Sequence, residues 1–197
     1  MKDFRIRVVA QPDKLVEICG PADIAVQTTE AIVNAANSHL LGGGGVDGAI
    51  HDAGGPSILA ECRKYVAKHG TLAVGQAMLT GGGRLTARFV IHTVGPVYRG
   101  GEHGEKELLA SCYRESIRLA DVQGIRSLAF PAISTGAYGY PLRLAAGVAI
   151  VSTLQALGEA KHVEHVRFVL FDVSAMKAHV AEARQFVTSR TDFVIVE

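Results

Sequence analysis

The chain has 197 residues, with 20 Lys plus Arg against 19 Asp plus Glu, for a formal charge of +1. Hydrophobic residues make up 48% and charged residues 20%, which excludes a disordered chain and sets one domain with a full core as the expectation. So balanced a charge gives no support for non-specific nucleic-acid or membrane binding, which needs a basic patch. Cys19, Cys62 and Cys112 are an odd count without metal-ligand spacing, and the opening MKDFRIRVVAQPD lacks the apolar stretch of a signal peptide. The expectation is a reduced, cytoplasmic protein with no membrane role, no metal and no cofactor.

In chain order, β-rich runs alternate with helical patterns. Strands are expected at Phe4 to Ala10, Leu15 to Cys19, Ala31 to Ala35, Gly75 to Thr80, Arg88 to Val94, Ser127 to Ala132 and His165 to Phe171, and the tail Asp192 to Glu197 reads as one more. Several are nearly continuous apolar runs, as strands covered on both faces are. Helices fit Pro56 to His69, Glu105 to Gln123, Pro141 to Leu157 and Ser174 to Thr188. In the second, Leu109, Cys112, Tyr113, Ser116, Ile117 and Ala120 form one stripe. Pro56 and Pro141 suit first-turn positions, Ser174 suits an N-cap, and Gly81 to Gly83 read as a turn. This alternation predicts a single three-layer α/β domain around a largely buried sheet.

Glycine is in excess, 22 residues or about 11% against a usual ~7%, and seven of the 22 fall between Gly42 and Gly55. Here a strand ends in NAAN, a short loop follows, and four glycines lead into a helix beginning near Val46. Helix N-termini offer unpaired N–H groups and a positive dipole end, and glycine lets backbone approach a ligand closely. The segment formally contains G-x-G-x-x-G at Gly43, Gly45 and Gly48. A dinucleotide fingerprint needs a direct strand-to-helix turn and a later acidic strand end, and both are missing here. A second loop, AFPAISTGAYGYP from Ala129 to Pro141, leaves another strand through small and hydroxyl residues. Two such loops at strand ends point to a diphosphate-bearing ligand.

A carboxylate in the first turn of a helix, beside a bound diphosphate, suits positioning of an attacking water, and Asp47 occupies that place. His51, one turn on, shares its face and is either an orienting group or a packing residue. His92 inside its apolar strand reads as a satisfied core histidine, Cys62 and Cys112 as core residues, and the charges from Arg99 to Lys106 as a solvated loop.

The motifs NAAN-x-x-L-x-GGGGVDGAIH, VIHTVGPVYRGGE and FPAISTGAYGYP, in this order, resemble the macrodomain family, and most closely its MacroD-type ADP-ribosylhydrolases and O-acetyl-ADP-ribose deacetylases. The resemblance spans about Val16 to Gln185. It implies a three-layer α/β/α fold with a mixed, mostly parallel sheet of about six strands, to which Phe4 to Ala10 adds an extra N-terminal strand. It also implies ADP-ribose, its esters and mono-ADP-ribosylated proteins as partners. Carried over by motif, Asp23 and Ile24 would meet the adenine, and Phe171 would pack near it. Gly43, Gly44, Gly45 and Val46, with Ser134, Thr135, Gly136, Ala137 and Tyr138, would wrap the diphosphate and distal ribose. Asn37 would bind that ribose, and Asp47 would orient or deprotonate the water. The activity implied is hydrolysis of ADP-ribose esters; the alternatives are a non-catalytic ADP-ribose reader and an enzyme using a nicotinamide dinucleotide. The chain departs from the pattern at Ala22, where a glycine is usual, and at Val74-Gly75-Gln76-Ala77, where Thr-Gly-His-Ala is common.

Overall fold

A computed structural model describes residues 3–196; Met1, Lys2 and the last residue of the expected tail strand, Glu197, lie outside it. The strands are β1 (Phe4–Val8), β2 (Gln11–Cys19), β3 (Ala31–Ala36), β4 (Ala77–Gly81), β5 (Phe89–Val94), β6 (Ser127–Phe130), β7 (His165–Val169) and β8 (Phe193–Val196). The helices are α1 (Gly45–Gly54), α2 (Pro56–His69), α3 (Glu105–Val122), α4 (Leu142–Glu159) and α5 (Val173–Thr188). One sheet runs β4-β5-β3-β6-β7-β2-β1-β8. The five strands from β5 to β2 are parallel, and β4, β1 and β8 close the edges antiparallel.

Parallel neighbours need helical crossovers, which cover both faces of the sheet, so successive residues of a central strand enter different cores. On β3, Ala31 and Val33 join a core with Leu109, Tyr113 and Ile117 of α3, Ile150 and Leu154 of α4, and Met176 and Ala183 of α5. Ile32 and Ala36 face the other way, with Ile50 of α1 and Ile58 and Cys62 of α2. The expected stripe of α3 is buried along its whole length.

The sheet has eight strands where about six plus one were expected, because the tail adds β8 along β1. β1 stops at Val8, since Val9 and Ala10 form the tight turn into β2. Two helix starts also differ from expectation. The N-cap of α5 is Asp172, whose carboxylate accepts from the N–H of Ala175 at 2.8 Å, with Ser174 donating to the same oxygen at 2.5 Å. Pro141 caps α4 from outside its first turn. No described helix is long and apolar enough to cross a membrane.

Candidate functional site

In open α/β sheets ligands gather outside the carboxyl ends of parallel strands, and both glycine-bearing loops leave from that end. The first follows β3. Asn37 Nδ2 donates to the Gly42 carbonyl at 2.9 Å, and Asn37 Oδ1 accepts from the N–H of His39 at 3.1 Å, so this side chain staples the loop together. Leu40 is buried and anchors the loop from below. Gly45 opens α1 at φ +60°, a conformation that a side chain would strain.

The second loop follows β6. Ser134 is buried at φ +67°, an uncommon state for a residue with a side chain, and its Oγ has no partner. A Cβ at Gly95, just past β5, would stand 2.2 Å from that Oγ, so glycine there lets the β5 and β6 ends close up. The N–H of Tyr98 donates to the Tyr138 carbonyl at 2.8 Å, and the Tyr98 and Tyr140 rings pack 4.8 Å apart, which fixes the far side of the loop.

The two loops enclose a cavity of about 440 Å³, lined by Asn37, the stretch from Gly43 to Asp47, Gly95, Ser134 and the stretch from Gly136 to Tyr138, with β3 and β6 end residues at its base. Its lining holds no Lys or Arg. Among the described residues, the N–H groups of Gly43, Gly44, Ser134, Gly136, Ala137 and Tyr138 have no partner within the chain. The first N–H groups of α1 are unpaired as at every helix start. The wall therefore carries backbone donors and a positive helix end, which suits an anion. Thr135 differs from its neighbours: its N–H and hydroxyl both donate to the Ala132 carbonyl, and it is absent from the lining.

Asp47 is 6% exposed and lies in the first turn of α1. Its Oδ1 accepts from Asn34 Nδ2 at 2.5 Å, and His51 Nε2 stands 3.4 Å from the same oxygen, outside hydrogen-bond alignment. Asp23 and Ile24 lie apart from this cavity, past β2, where Asp23 caps the single 3₁₀ turn Ile24–Val26 through the N–H of Ala25. Phe171 lies two residues beyond β7 and is 83% exposed. The N–H of Ala22 donates to the Leu170 carbonyl, so these two strand ends are joined where Asp23 and Phe171 emerge.

Two groups looked different from sequence. Glu105 does not belong to a solvated loop: it is 2% exposed and accepts from the N–H groups of Arg99, Gly101 and His103. Burial alone would raise its carboxyl, but these bonds favour the charged form and hold it down at about 2. Asn34, fully buried on β3, escaped notice although it begins the NAAN run; the signal available was an amide inside an apolar strand. His92 is the satisfied core histidine expected, with both ring nitrogens engaged and burial, then His51, pushing it down to about 3.

His51, Cys62 and His92 bring three donor atoms within 4.8 Å of one another, which is a metal-like grouping. The nitrogens of His92 are already bonded to Asn34 and Thr80, and burial pushes the Cys62 thiol up to about 11, so His92 and Cys62 pack as neutral side chains. A larger depression of about 960 Å³ lies along α3 and α4, lined in part by Lys106, Arg114, Arg143 and Leu144. Of the two glycine-bearing loops, only Tyr140 of the second reaches its lining.

Fold and site together define an α/β domain with a cleft at a strand-end switch, lined by backbone donors that suit an anion and edged by one buried carboxylate. The Macro domain profile matches residues 33–149. An O-acetyl-ADP-ribose deacetylase of Citrobacter koseri is 51% identical over 150 residues, covering 76% of this chain and 85% of that protein. An Oceanobacillus iheyensis macrodomain with ADP superposes with a TM-score of 0.87 at 39% identity, covering 94% of this chain and 98% of that one. A Trypanosoma brucei macrodomain in complex with ADP-ribose gives 0.75 at 39% identity, covering 83% of this chain and 67% of the other. This chain belongs to the macrodomain family.

Proposed function

We propose that this protein binds ADP-ribose and hydrolyses its esters, either O-acetyl-ADP-ribose or ADP-ribose on acidic protein side chains. The observation that carries the reading is the buried Asp47 carboxylate on the wall of a cavity whose lining is otherwise uncharged and rich in backbone donors. The deacetylase name of a relative at 51% identity supports the reaction, and the ADP-ribose complex of the Trypanosoma brucei macrodomain supports the ligand.

In this reading the diphosphate lies between Gly43 to Val46 and Ser134 to Tyr138, with the α1 N-terminus supplying attraction that lysines supply elsewhere. The adenine lies toward Asp23, Ile24 and Phe171. Asn37 keeps the first loop in shape beside the distal ribose. Asp47 holds a water. At the anomeric carbon its oxygen displaces the acyloxy oxygen and a carboxylate leaves; at the ester carbonyl carbon it displaces the ribose oxygen, which takes one of the two water protons as a hydroxyl, and the acyl group departs as a carboxylate. The other water proton passes to Asp47 and then to solvent.

Calorimetry with ADP-ribose and chromatography of products from both ester classes test this reading. The expected result is binding plus turnover, with Asp47→Asn retaining binding and losing about 10²–10³ in turnover. Binding without product from either ester identifies a reader module instead. Tight binding of a nicotinamide dinucleotide without preference for ADP-ribose overturns both readings.

A further inference from the structure

We propose that Asn34 and His92 are positioning residues: a buried polar row from Asp47 through Asn34 and His92 to Thr80 holds the Asp47 carboxylate in one orientation. This rests on the reading of Asp47 as the group that orients water.

The sheet face under α1 and α2 is otherwise apolar, built from Ile32, Ala36, Met78, Val90 and Val94 against Ile50 and Ile58. Across it runs one polar row. Asn34 of β3 lies directly opposite His92 of β5, and Thr80 of β4 lies beside His92. All three are buried. A row of this kind in an apolar face is costly unless every member is bonded.

Only one assignment of donors and acceptors fits the row, with Asn34 donating both ways. The Asn34 amide has two hydrogens and two acceptors for them, Asp47 Oδ1 at 2.5 Å and His92 Nδ1 at 3.1 Å. His92 must then carry its proton on Nε2, which donates to Thr80 Oγ1 at 3.0 Å. The Thr80 hydroxyl donates in turn to the Gly81 carbonyl at 3.0 Å, where the row ends on backbone. An inverted Asn34 amide would set its carbonyl against a carboxylate and a lone pair. Burial, and after it the His51 ring 6.0 Å away, keeps His92 neutral, while Cys62 Sγ lies 3.8 Å from Nε2. A protonated Nδ1 would break the row at Asn34.

Stability does not account for this amide. Asn34 Oδ1 is buried with no partner, a state that costs stability. A leucine in this face would avoid the orphaned acceptor. What the amide supplies is a hydrogen bond on the far side of the Asp47 carboxylate from the cavity-forming glycines. It fixes which oxygen is free: a Cβ at Gly43, in the first loop, would stand 3.1 Å from Asp47 Oδ2.

The test uses the full chain with Asn34→Leu and His92→Phe, which delete the bonds while keeping bulk. The expected result is ADP-ribose affinity within about twofold of wild type, KM likewise unchanged, and kcat down about tenfold or more, since misplacement of a catalytic group by about 1 Å costs up to ~10². Unchanged kcat in Asn34→Leu overturns the proposal, as does a parallel loss of affinity and kcat, which marks a merely structural role. A second readout needs no turnover: nitrogen spectra of His92 between about pH 5 and 8, where the expected form is neutral with the proton on Nε2. Slow exchange of the Asn34 amide hydrogens, with signals that move in Asp47→Ala, is expected alongside. A charged ring, or a proton on Nδ1, overturns the proposal. If wild type turns over no ester, the reading of Asp47 fails alone, and the spectra still decide whether the row exists.

Discussion

His51 and Asp47 stand one turn apart on α1, with Nε2 3.4 Å from Oδ1 and both side chains largely removed from solvent. Spacing alone brought them to one face; burial of that face makes the contact persistent. The imidazole lies beside the carboxylate oxygen that Asn34 also holds. His51→Leu is therefore expected to lower ester turnover by about tenfold, less than Asp47→Asn, with ADP-ribose affinity preserved. Steady-state kinetics and calorimetry on the same preparations check it. Equal turnover in wild type and His51→Leu would return this histidine to packing alone.

Gly95, just past β5, and Gly136, in the second loop, make a contrast. A Cβ at Gly95 would stand 2.2 Å from Ser134 Oγ and 2.7 Å from Ile133 Cγ2, whereas one at Gly136 would meet nothing within 4 Å. Gly95→Ala is expected to lose about 1–3 kcal/mol of stability, as overpacked sites do, and to weaken ADP-ribose binding through the displaced Ser134. Gly136→Ala should leave thermal stability unchanged. Denaturant unfolding of both variants checks the pair.

Acid should weaken the fold through buried histidines. Burial pushes His179 down to about 4 and His92 down to about 3, so both are neutral in the fold. Below the ordinary histidine value of about 6.5 the unfolded chain takes up protons that the fold excludes. Stability is thus full above that value and falls as pH drops toward 4. His179 Nδ1 donates to the Ala175 carbonyl, and its Nε2 is buried without a partner beside Phe168. His179→Leu is expected to lie within about 1 kcal/mol of wild type at neutral pH and above it at about pH 5. Urea midpoints across that range give the answer; an unaltered pH slope would sink the assignment.

Glu105 ties the loop before α3 to three N–H groups, and Tyr98 at the start of that loop holds the Tyr138 carbonyl. The carboxyl is held at about 2, so its contribution is present above the ordinary glutamate range and is lost as pH falls toward 2. Glu105→Ala should speed tryptic cleavage after Arg99 and weaken ADP-ribose binding severalfold, with a lower melting temperature at pH 7. Identical cleavage rates in the variant and wild type would count against the link between the two loops.

Much of the architecture is written locally. Apolar runs marked seven strands, the period of α3 marked its buried stripe, and the clustered glycines marked the first loop, because each signal lies within a few residues of chain. Ends were less legible: Val9 and Ala10 read as strand and are a turn, and Ser174 yielded its cap to Asp172. Both outcomes depend on partners, β2 in one case and the α5 start in the other.

By itself, then, the sequence determined the alternation of strands and helices, the two glycine-bearing loops and a carboxylate at a helix start. The tertiary structure alone decided which side chains share the interior beneath them. Asn34 and His92 are 58 residues apart and meet because β3 and β5 pair in parallel register. Glu105 is buried because backbone donors converge on it. Hydrophobic periodicity records which face a residue turns inward; it carries no record of which distant polar group waits there, since that is set by strand order and register.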